Sequence, residues 1–248
     1  MSHMNTSVEI TVLLPVFNER ENLTILFEEI KASLDPLKKT YEVLCVDDGS
    51  TDGSLDVMRG LEAKHLQVRI VELDGNFGQS SAFGAGFGEA RGKVVVTLDA
   101  DGQNDPADIP KLLQLMDNPT IHCVCGIRTK RVDSWTKKQT SRFANWVRNK
   151  ISGDQIQDTG CSLKAFRREC LNAFFHFNGM HRFFPTLLRI SGYTVIEAPV
   201  NHRPRMRGVS KYSTANRLVQ PFLDLLAVRW MKDRTLRYKI RERKGSHV

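Results

Sequence analysis

The residues best suited to chemistry are five aspartates in two clusters. Asp47, Asp48 and Asp52 close the segment Tyr41-Glu-Val-Leu-Cys-Val-Asp-Asp-Gly-Ser-Thr-Asp, and Asp99 and Asp101 close Val94-Val-Val-Thr-Leu-Asp-Ala-Asp. Each cluster follows an apolar, β-branched run, the pattern of a buried parallel strand that delivers acids to its C-terminal end. In open α/β sheets ligands bind at that end. Asp99 and Asp101 are two residues apart, a spacing that can put both carboxylates on one side of an extended chain. Hard oxygen ligands with no His or Cys beside them suit Mg2+ or Mn2+. Gln103 can add a carbonyl oxygen or support a ligand from behind. The ion would bridge diphosphate oxygens and neutralise a leaving nucleoside diphosphate. An isolated Asp-x-Asp is more often a turn or a cap. This one follows a full apolar run and has a second acidic strand end for company. A nucleotide sugar, which needs carboxylate hydrogen bonds and a metal for its pyrophosphate, fits that pair.

Such acids need strands side by side, and the chain alternates accordingly. Strands are predicted over 9–16, 42–47, 68–73, 93–99 and 122–127, with helices over 19–34, 54–63 and 78–90 between them. Asn104-Asp-Pro106 supplies an N-cap and a first-turn proline for a further helix reaching 116. This βα alternation implies a mostly parallel sheet with helices on both faces. Past Arg128 the order changes. A basic segment leads into a predicted helix over 134–152, then short elements, a strand over 194–200 and an Arg-rich loop over 202–211. Two helical stretches, 214–231 and 234–243, close the chain. The organisation is one α/β domain over 8–212 with amphipathic, basic helices over 213–244. No internal repeat or low-complexity linker is present.

Composition agrees with that plan. The 248 residues are 41% hydrophobic and 26% charged, enough to bury one large core. The net charge of +8 and pI near 9.4 favour anionic partners: nucleotides, phospholipid surfaces or nucleic acid. No nucleic-acid-binding motif of the usual kinds occurs, so nucleic acid is not an expected partner. The cysteines at 45, 123, 125, 161 and 170 make no zinc pattern and read as core thiols in a reducing compartment. The N-terminus is polar, without an apolar signal core, and no run of about 18 apolar residues exists to span a bilayer alone.

Several local segments admit two readings. In Asp47-Asp-Gly-Ser-Thr-Asp52, Ser50 or Asp52 can cap the next helix while one acid accepts from a nucleobase. In Pro15-Val-Phe-Asn-Glu19, Asn18 is placed to cap the first helix and Glu19 to face the ligand. Gly84-Ala-Gly-Phe-Gly88 is not the dinucleotide fingerprint; small residues for close helix packing explain it better.

Together, Pro15-Val-Phe-Asn-Glu19, Val46-Asp-Asp-Gly-Ser-Thr-Asp52 and Leu98-Asp-Ala-Asp-Gly-Gln103 resemble the signature segments of family-2 glycosyltransferases with the α/β, Rossmann-like GT-A fold. Asp158-Thr-Gly-Cys-Ser162, Gly179-Met-His-Arg-Phe-Phe-Pro185 and Arg207-Gly-Val-Ser-Lys211 narrow the resemblance to polyprenyl-phosphate glycosyltransferases. That group comprises the dolichol-phosphate mannose synthase class and its bacterial undecaprenyl-phosphate relatives. The resemblance implies that Pro15, Glu19 and Asp47, with Asp48 beside them, hold the nucleoside, and that Asp99, Asp101 and Gln103 hold the metal. It puts Ser210 and Lys211 on a loop over the donor phosphates, with Arg205 or Arg207 alongside. Family members often carry Leu-Gln after the second Asp; here Gly102-Gln103 stands there.

For the acceptor, Arg128, Lys137, Lys138 and Arg142 belong to a run of cations opposed only by Asp133. They can grip a lipid phosphate, or form a solvated helix face. Arg128 directly follows the fifth strand and is the best placed. An acceptor phosphate is already anionic, so it needs no strong base; its oxygen would attack the anomeric carbon in line, with inversion. Asp158 is the reserve candidate for a base or for orienting the acceptor, and helix capping explains it equally well. Leu218, Val219, Phe222, Leu223, Leu225, Leu226, Trp230 and Met231 form an apolar face followed by a basic tail. That face reads as a helix lying on an anionic membrane surface, or as one packed on the domain or on a partner. The expectation is a peripheral enzyme at the cytoplasmic face of a membrane, with a second copy or a membrane-anchored partner as an option. Transfer to a saccharide, or non-catalytic binding of a nucleotide sugar, are the alternatives. The sugar and the choice between UDP and GDP are not legible.

Overall fold

The structure, a computed structural model, describes residues 7–128, 156–204 and 219–236. Its first half runs β1 (Ile10–Val16), α1 (Arg20–Leu34), β2 (Tyr41–Asp47), α2 (Ser54–Lys64), β3 (Val68–Glu72), α3 (Gln79–Glu89) and β4 (Val94–Thr97). A 3-10 turn at Pro106–Asp108 leads into α4 (Ile109–Leu115), then β5 (Cys123–Arg128). The later elements are β6 (Lys164–Arg167), a 3-10 turn at Met180–Arg182, α5 (Phe184–Ile190), β7 (Val195–Val200) and α6 (Val219–Arg234).

Among the described residues seven strands form one sheet in the order β3-β2-β1-β4-β6-β5-β7. Pairing is parallel except at β6, which is antiparallel to both β4 and β5. The chain winds from β1 outward through β2 and β3, then returns to place β4 on the other side of β1. The crevice beyond β1 and β4 is therefore the topological switch point, where such sheets bind ligands. Register fixes what reaches it. Val16 is level with Asp47, and Leu13 is level with Thr97. Asp99, two residues past Thr97, thus comes up beside Pro15.

The central strands are buried on both faces, which is why they read as unbroken apolar runs. Their two-residue period divides the core. Val12, Leu14 and Cys45 pack with α1, α2 and α4, whereas Leu13, Leu44 and Val46 pack with α3, α5 and α6. Helices cover both faces, as the alternation predicts. Gly86 is the member of the Gly84–Gly88 segment that close packing requires. A Cβ there would come within 2.3 Å of Leu13 Cδ1, whereas at Gly88 it would meet nothing within 4 Å. All five cysteines are free and buried.

Three departures from the sequence-based expectation matter. The strand over 93–99 stops at Thr97, so Asp99 and Asp101 stand in the turn beyond it. The helix reaching 116 is broken into a 3-10 turn and α4, with Asp105 of the Asn104-Asp-Pro106 segment providing the cap by accepting from the Ala107 N–H. The four-residue strand β6 and the short helix α5 were not anticipated; neither is long enough to show a period of its own. The expected helix over 134–152, the loop over 205–211 and the last helix from 237 onward lie outside the described residues. Among the described residues no helix is long and apolar enough to cross a membrane.

Candidate active site

The loops after β1 and β2 are stitched to each other before they meet any ligand. Asn18 adopts a left-handed backbone (φ 56°), which Asn tolerates better than most residues. Its N–H donates to Ser50 Oγ at 2.9 Å, and its Oδ1 accepts from the Thr51 N–H at 2.6 Å. Asn18 therefore does not cap α1, contrary to the expectation. Asp52 serves that end instead, accepting from the Arg20 N–H at 3.1 Å while also accepting from the N–H and hydroxyl of Ser54. Glu19 accepts from Asn22 Nδ2 at 2.6 Å and lines the cleft.

The adjacent acids Asp47 and Asp48 have different surroundings. Asp47 is 3% exposed; its Oδ2 accepts from the Ser50 N–H at 3.2 Å, and its buried Oδ1 has no hydrogen-bond partner among the described residues. Asp48 clamps the approach to α3, accepting from the Phe77 N–H at 2.7 Å and the Gly78 N–H at 2.9 Å. Burial raises the Asp48 pKa, and those two N–H groups work against the rise. Of the two acids, Asp48 lines the cleft.

That cleft, about 280 Å³, lies at the β1/β4 switch point between Pro15, Glu19, Asp48, Gln79, Asp99 and Asp101. Gln79, the first residue of α3, donates its Nε2 to Asp99 Oδ1 at 2.7 Å, and the Asp99 N–H donates to Ser162 Oγ at 3.3 Å. The Asp99 carboxyl is pushed up to about 6. Burial is the main cause and the Asp101 charge the next, opposed by Ser162, Lys164 and Arg128. Asp101 Oδ1 accepts from the Gln103 N–H at 3.0 Å, so Gln103 reaches the pair through its backbone. Among the described residues no group of three or more His, Cys, Asp or Glu is arranged to hold a metal. The donor set is nevertheless suitable for a hard cation: two carboxylate-bearing residues, all oxygen, with mutual repulsion that a divalent ion would relieve. An ion of this kind takes its remaining positions from water and substrate phosphates.

The exit of the acidic turn is fastened to the exit of β7. The Arg203 N–H donates to the Gln103 carbonyl at 2.7 Å, and Asn104 forms a bridge with His202. Arg203 also pairs with Glu29 and Asp105 at 2.8 and 2.7 Å. The predicted phosphate loop carrying Arg205, Arg207, Ser210 and Lys211 starts from this anchored point and lies outside the described residues, as do Lys137, Lys138 and Arg142.

Arg128 and Asp158, separate suggestions in the sequence, are one unit. Arg128 Nε and Nη2 each donate to an oxygen of Asp158 at 2.7 Å, and the Arg128 N–H adds a third bond at 3.2 Å. Asp158 also accepts from the Gly160 N–H. A carboxylate so engaged holds a guanidinium in place and is poorly disposed to take a proton. Sequence reasoning gave no role to Lys164 or His181, which line a second cavity next to Asp99, or to Ser80, which bonds to His181. Only the grouping of residues 158–162 and 179–185 as notable segments pointed there.

Comparison with known proteins gives the family and the fold. The profile described as "Glycosyl transferase family 2" matches residues 11–175. An undecaprenyl-phosphate 4-deoxy-4-formamido-L-arabinose transferase of Edwardsiella ictaluri (strain 93-146) is 37% identical over 227 residues, covering 91% of this chain and 69% of the relative. Among solved structures, a mannosyltransferase of Pyrobaculum calidifontis, in complex with GDP-Man and Mn2+, superposes with a TM-score of 0.61 at 21% identity. That match covers 90% of this chain and 69% of the other. The glucosyl-3-phosphoglycerate synthase of Mycobacterium tuberculosis, in complex with Mn2+, uridine-diphosphate and phosphoglyceric acid, gives 0.67 at 17% identity, over 91% and 78% of the two chains.

Proposed function

Since the chain belongs to glycosyl transferase family 2 and is a glycosyltransferase, we propose that it moves a sugar from a nucleotide sugar onto a polyprenyl phosphate, inverting the anomeric carbon. The observation that carries this reading is the Asp99–Asp101 pair at the mouth of the switch-point cleft, with Asp99 held by Gln79 and Ser162. The acceptor class is supported by the named activity of the Edwardsiella relative.

Pro15, Glu19, Asp47 and Asp48 flank the nucleoside. Asp99 and Asp101 hold Mg2+ or Mn2+, with the Gln103 N–H orienting Asp101. When bound, the ion supplies positive charge against the departing nucleoside diphosphate. The resemblance assigns Arg205, Arg207, Ser210 and Lys211 to the donor diphosphate. Arg128, with Lys137, Lys138 and Arg142, receives the acceptor phosphate. Asp158 uses two of the guanidinium's five N–H groups, which leaves Arg128 donors for a phosphate oxygen. Asp158 is thus a positioning residue here. The acceptor is anionic before it arrives, so the step needs orientation and charge, and no proton need be removed.

The membrane reading rests on α6. Leu225 and Val228 are buried against the domain, while Phe222, Leu223, Leu226 and Trp230 are exposed on the opposite side. A helix that is apolar on both sides has more than the domain to cover it. We assign the exposed side to the headgroup region of an anionic membrane, with the enzyme attached peripherally at its cytoplasmic face. The test is transfer to undecaprenyl phosphate from a panel of UDP- and GDP-sugars with Mg2+ or Mn2+, read as lipid-linked sugar and released nucleoside diphosphate. Transfer to a soluble saccharide in preference to the lipid would overturn the acceptor assignment. Donor binding without any turnover would overturn the reaction.

A further inference from the structure

A second cavity of about 260 Å³ adjoins the nucleotide cleft and shares Gln79 and Asp99 with it. With a diphosphate at Asp99 and Asp101, as proposed above, the shared wall would bring the attached sugar to this cavity. Phe83 and Phe184 form an apolar wall, edge to face at 5.5 Å. The polar lining is unusual in its balance.

Lys164, the first residue of β6, lines this cavity and is 3% exposed. Its Nζ donates to the Cys161 carbonyl, and it has no ion-pair partner among the described residues. Asp99 is near enough for Lys164 to draw its pKa down, without an ion pair forming. An ammonium carries three N–H groups and accepts nothing, so Lys164 keeps donors in reserve at the wall of the cavity. A buried charge left in that condition is costly unless a ligand completes it.

His181 adds a donor of fixed type. Its Nδ1 lies 2.8 Å from Ser80 Oγ, and Ser80 Oγ already accepts from the Gly179 N–H at 2.9 Å. Ser80 is buried, and among the described residues its hydroxyl proton has no acceptor other than His181 Nδ1. Nδ1 is therefore the acceptor and Nε2 carries the proton. Burial, then the charges of Arg182 and Lys164, push the His181 pKa down to about 3, so the ring stays neutral. The first turn of α3 thus serves both cavities: Gln79 orients Asp99, and Ser80 sets the tautomer of His181.

We propose, on the premise that the donor is a nucleotide sugar, that this second cavity seats its sugar and that Lys164 and His181 select one bearing a carbonyl or carboxylate oxygen over one bearing an ammonium group. Lys164, His181 and Arg182 all bring donors to the lining, while Asp99, the acceptor on the shared wall, takes Gln79 at Oδ1 and is assigned to the metal. An acyl or carboxylate oxygen satisfies Lys164 and the His181 Nε2–H together. An ammonium would stand beside the Lys164 charge in a buried space and leave those donors unmet, and sites built to hydrogen-bond one group discriminate strongly against its absence.

The test is binding of nucleotide sugars to the full chain with Mg2+, by calorimetry. The probes are the amino, N-acylamino and uronate forms of a sugar, each on uridine and on guanosine diphosphate. The N-acyl or uronate form is expected to bind at least ~10-fold tighter than the amine. Lys164→Met should bring the forms within ~3-fold while the free nucleoside diphosphate binds as before. His181→Phe leaves Lys164 in place and is expected to reduce the preference independently, so the test survives a Lys164 variant that fails to fold. Equal wild-type affinities for amine and N-acyl forms would overturn the proposal. So would a folded Lys164→Met that keeps the preference, or one that loses affinity for undecaprenyl phosphate alone. Sugar preference with no transfer to any acceptor would refute the proposed reaction and leave this assignment standing.

Discussion

Removing Asp158 separates a positioning role from a general base. In the folded protein it holds Arg128 through two charge-assisted bonds of 2.7 Å, and the two side chains are 14% and 11% exposed. Asp158→Ala leaves a guanidinium in that environment, together with the Arg128 and Gly160 N–H groups that Asp158 had accepted from. Breaking a buried pair by deleting one partner costs roughly 3–5 kcal/mol. Gly160 lines the second cavity, through which water can reach the site, so the lower end applies: about 3 kcal/mol. For a chain of this size that is a fall in Tm of roughly 6–12 °C. Arg128→Ala and the double variant complete a cycle, with a coupling of about 2 kcal/mol expected from urea unfolding. In kinetics, Asp158→Asn should raise the KM for polyprenyl phosphate more than it lowers kcat, because the guanidinium is misdirected and no proton transfer is lost. A stability loss under about 1 kcal/mol would refute the buried-pair argument. A kcat that collapses at unchanged KM and recovers with rising pH would refute the positioning role.

Three further outcomes are expected. Asp99→Asn and Asp101→Asn should each lower metal-dependent transfer by about a hundredfold or more with circular dichroism unchanged, because both acids lie beyond the strand end; full activity of both in EDTA would contradict the metal assignment. Glu42 gives a pH signature. Burial pushes its carboxyl up, but bonds from Thr11, Arg69 and the Arg91 N–H more than offset this and hold its pKa below 4.5. A carboxyl depressed in the folded state contributes stability that is complete above its unfolded pKa and is lost as pH falls through the folded value. Urea midpoints should therefore drop below about pH 4.5, and this component of the drop should be absent in Glu42→Gln. Finally, Trp230→Ala with Phe222→Ala should weaken binding to anionic vesicles without lowering Tm by more than a few degrees, since both side chains are exposed; Val228→Ala, fully buried, should lower Tm by more.

Much of the fold was legible because its signals are local. The β-branched runs before Asp47 and Asp99 and the helical periods between them depend on neighbours one to four residues away. They fixed the parallel half of the sheet and located both acidic turns at strand ends. The cleft followed from them, since β1, β2 and β4 share one direction and their ends must meet. β6 and α5 escaped because short elements are stabilised by the sheet and core they join, not by a pattern of their own.

What each polar residue does was decided only by the tertiary structure. Asn18 looks like a helix cap in sequence, yet a left-handed turn sends its side chain to Thr51. Asp47 and Asp48 are adjacent and chemically identical, and the strand's alternation aims one inward and the other at the loop before α3. Arg128 meets Asp158 across 30 positions, and Ser80 meets His181 across 101. A hydrogen bond is satisfied by whatever partner the sheet order brings within about 3 Å, and sheet order is a property of the whole chain. The sequence by itself therefore determined which residues could carry charge to the ligand-binding edge; only the folded structure decided which of them remain available to a ligand and which are already held.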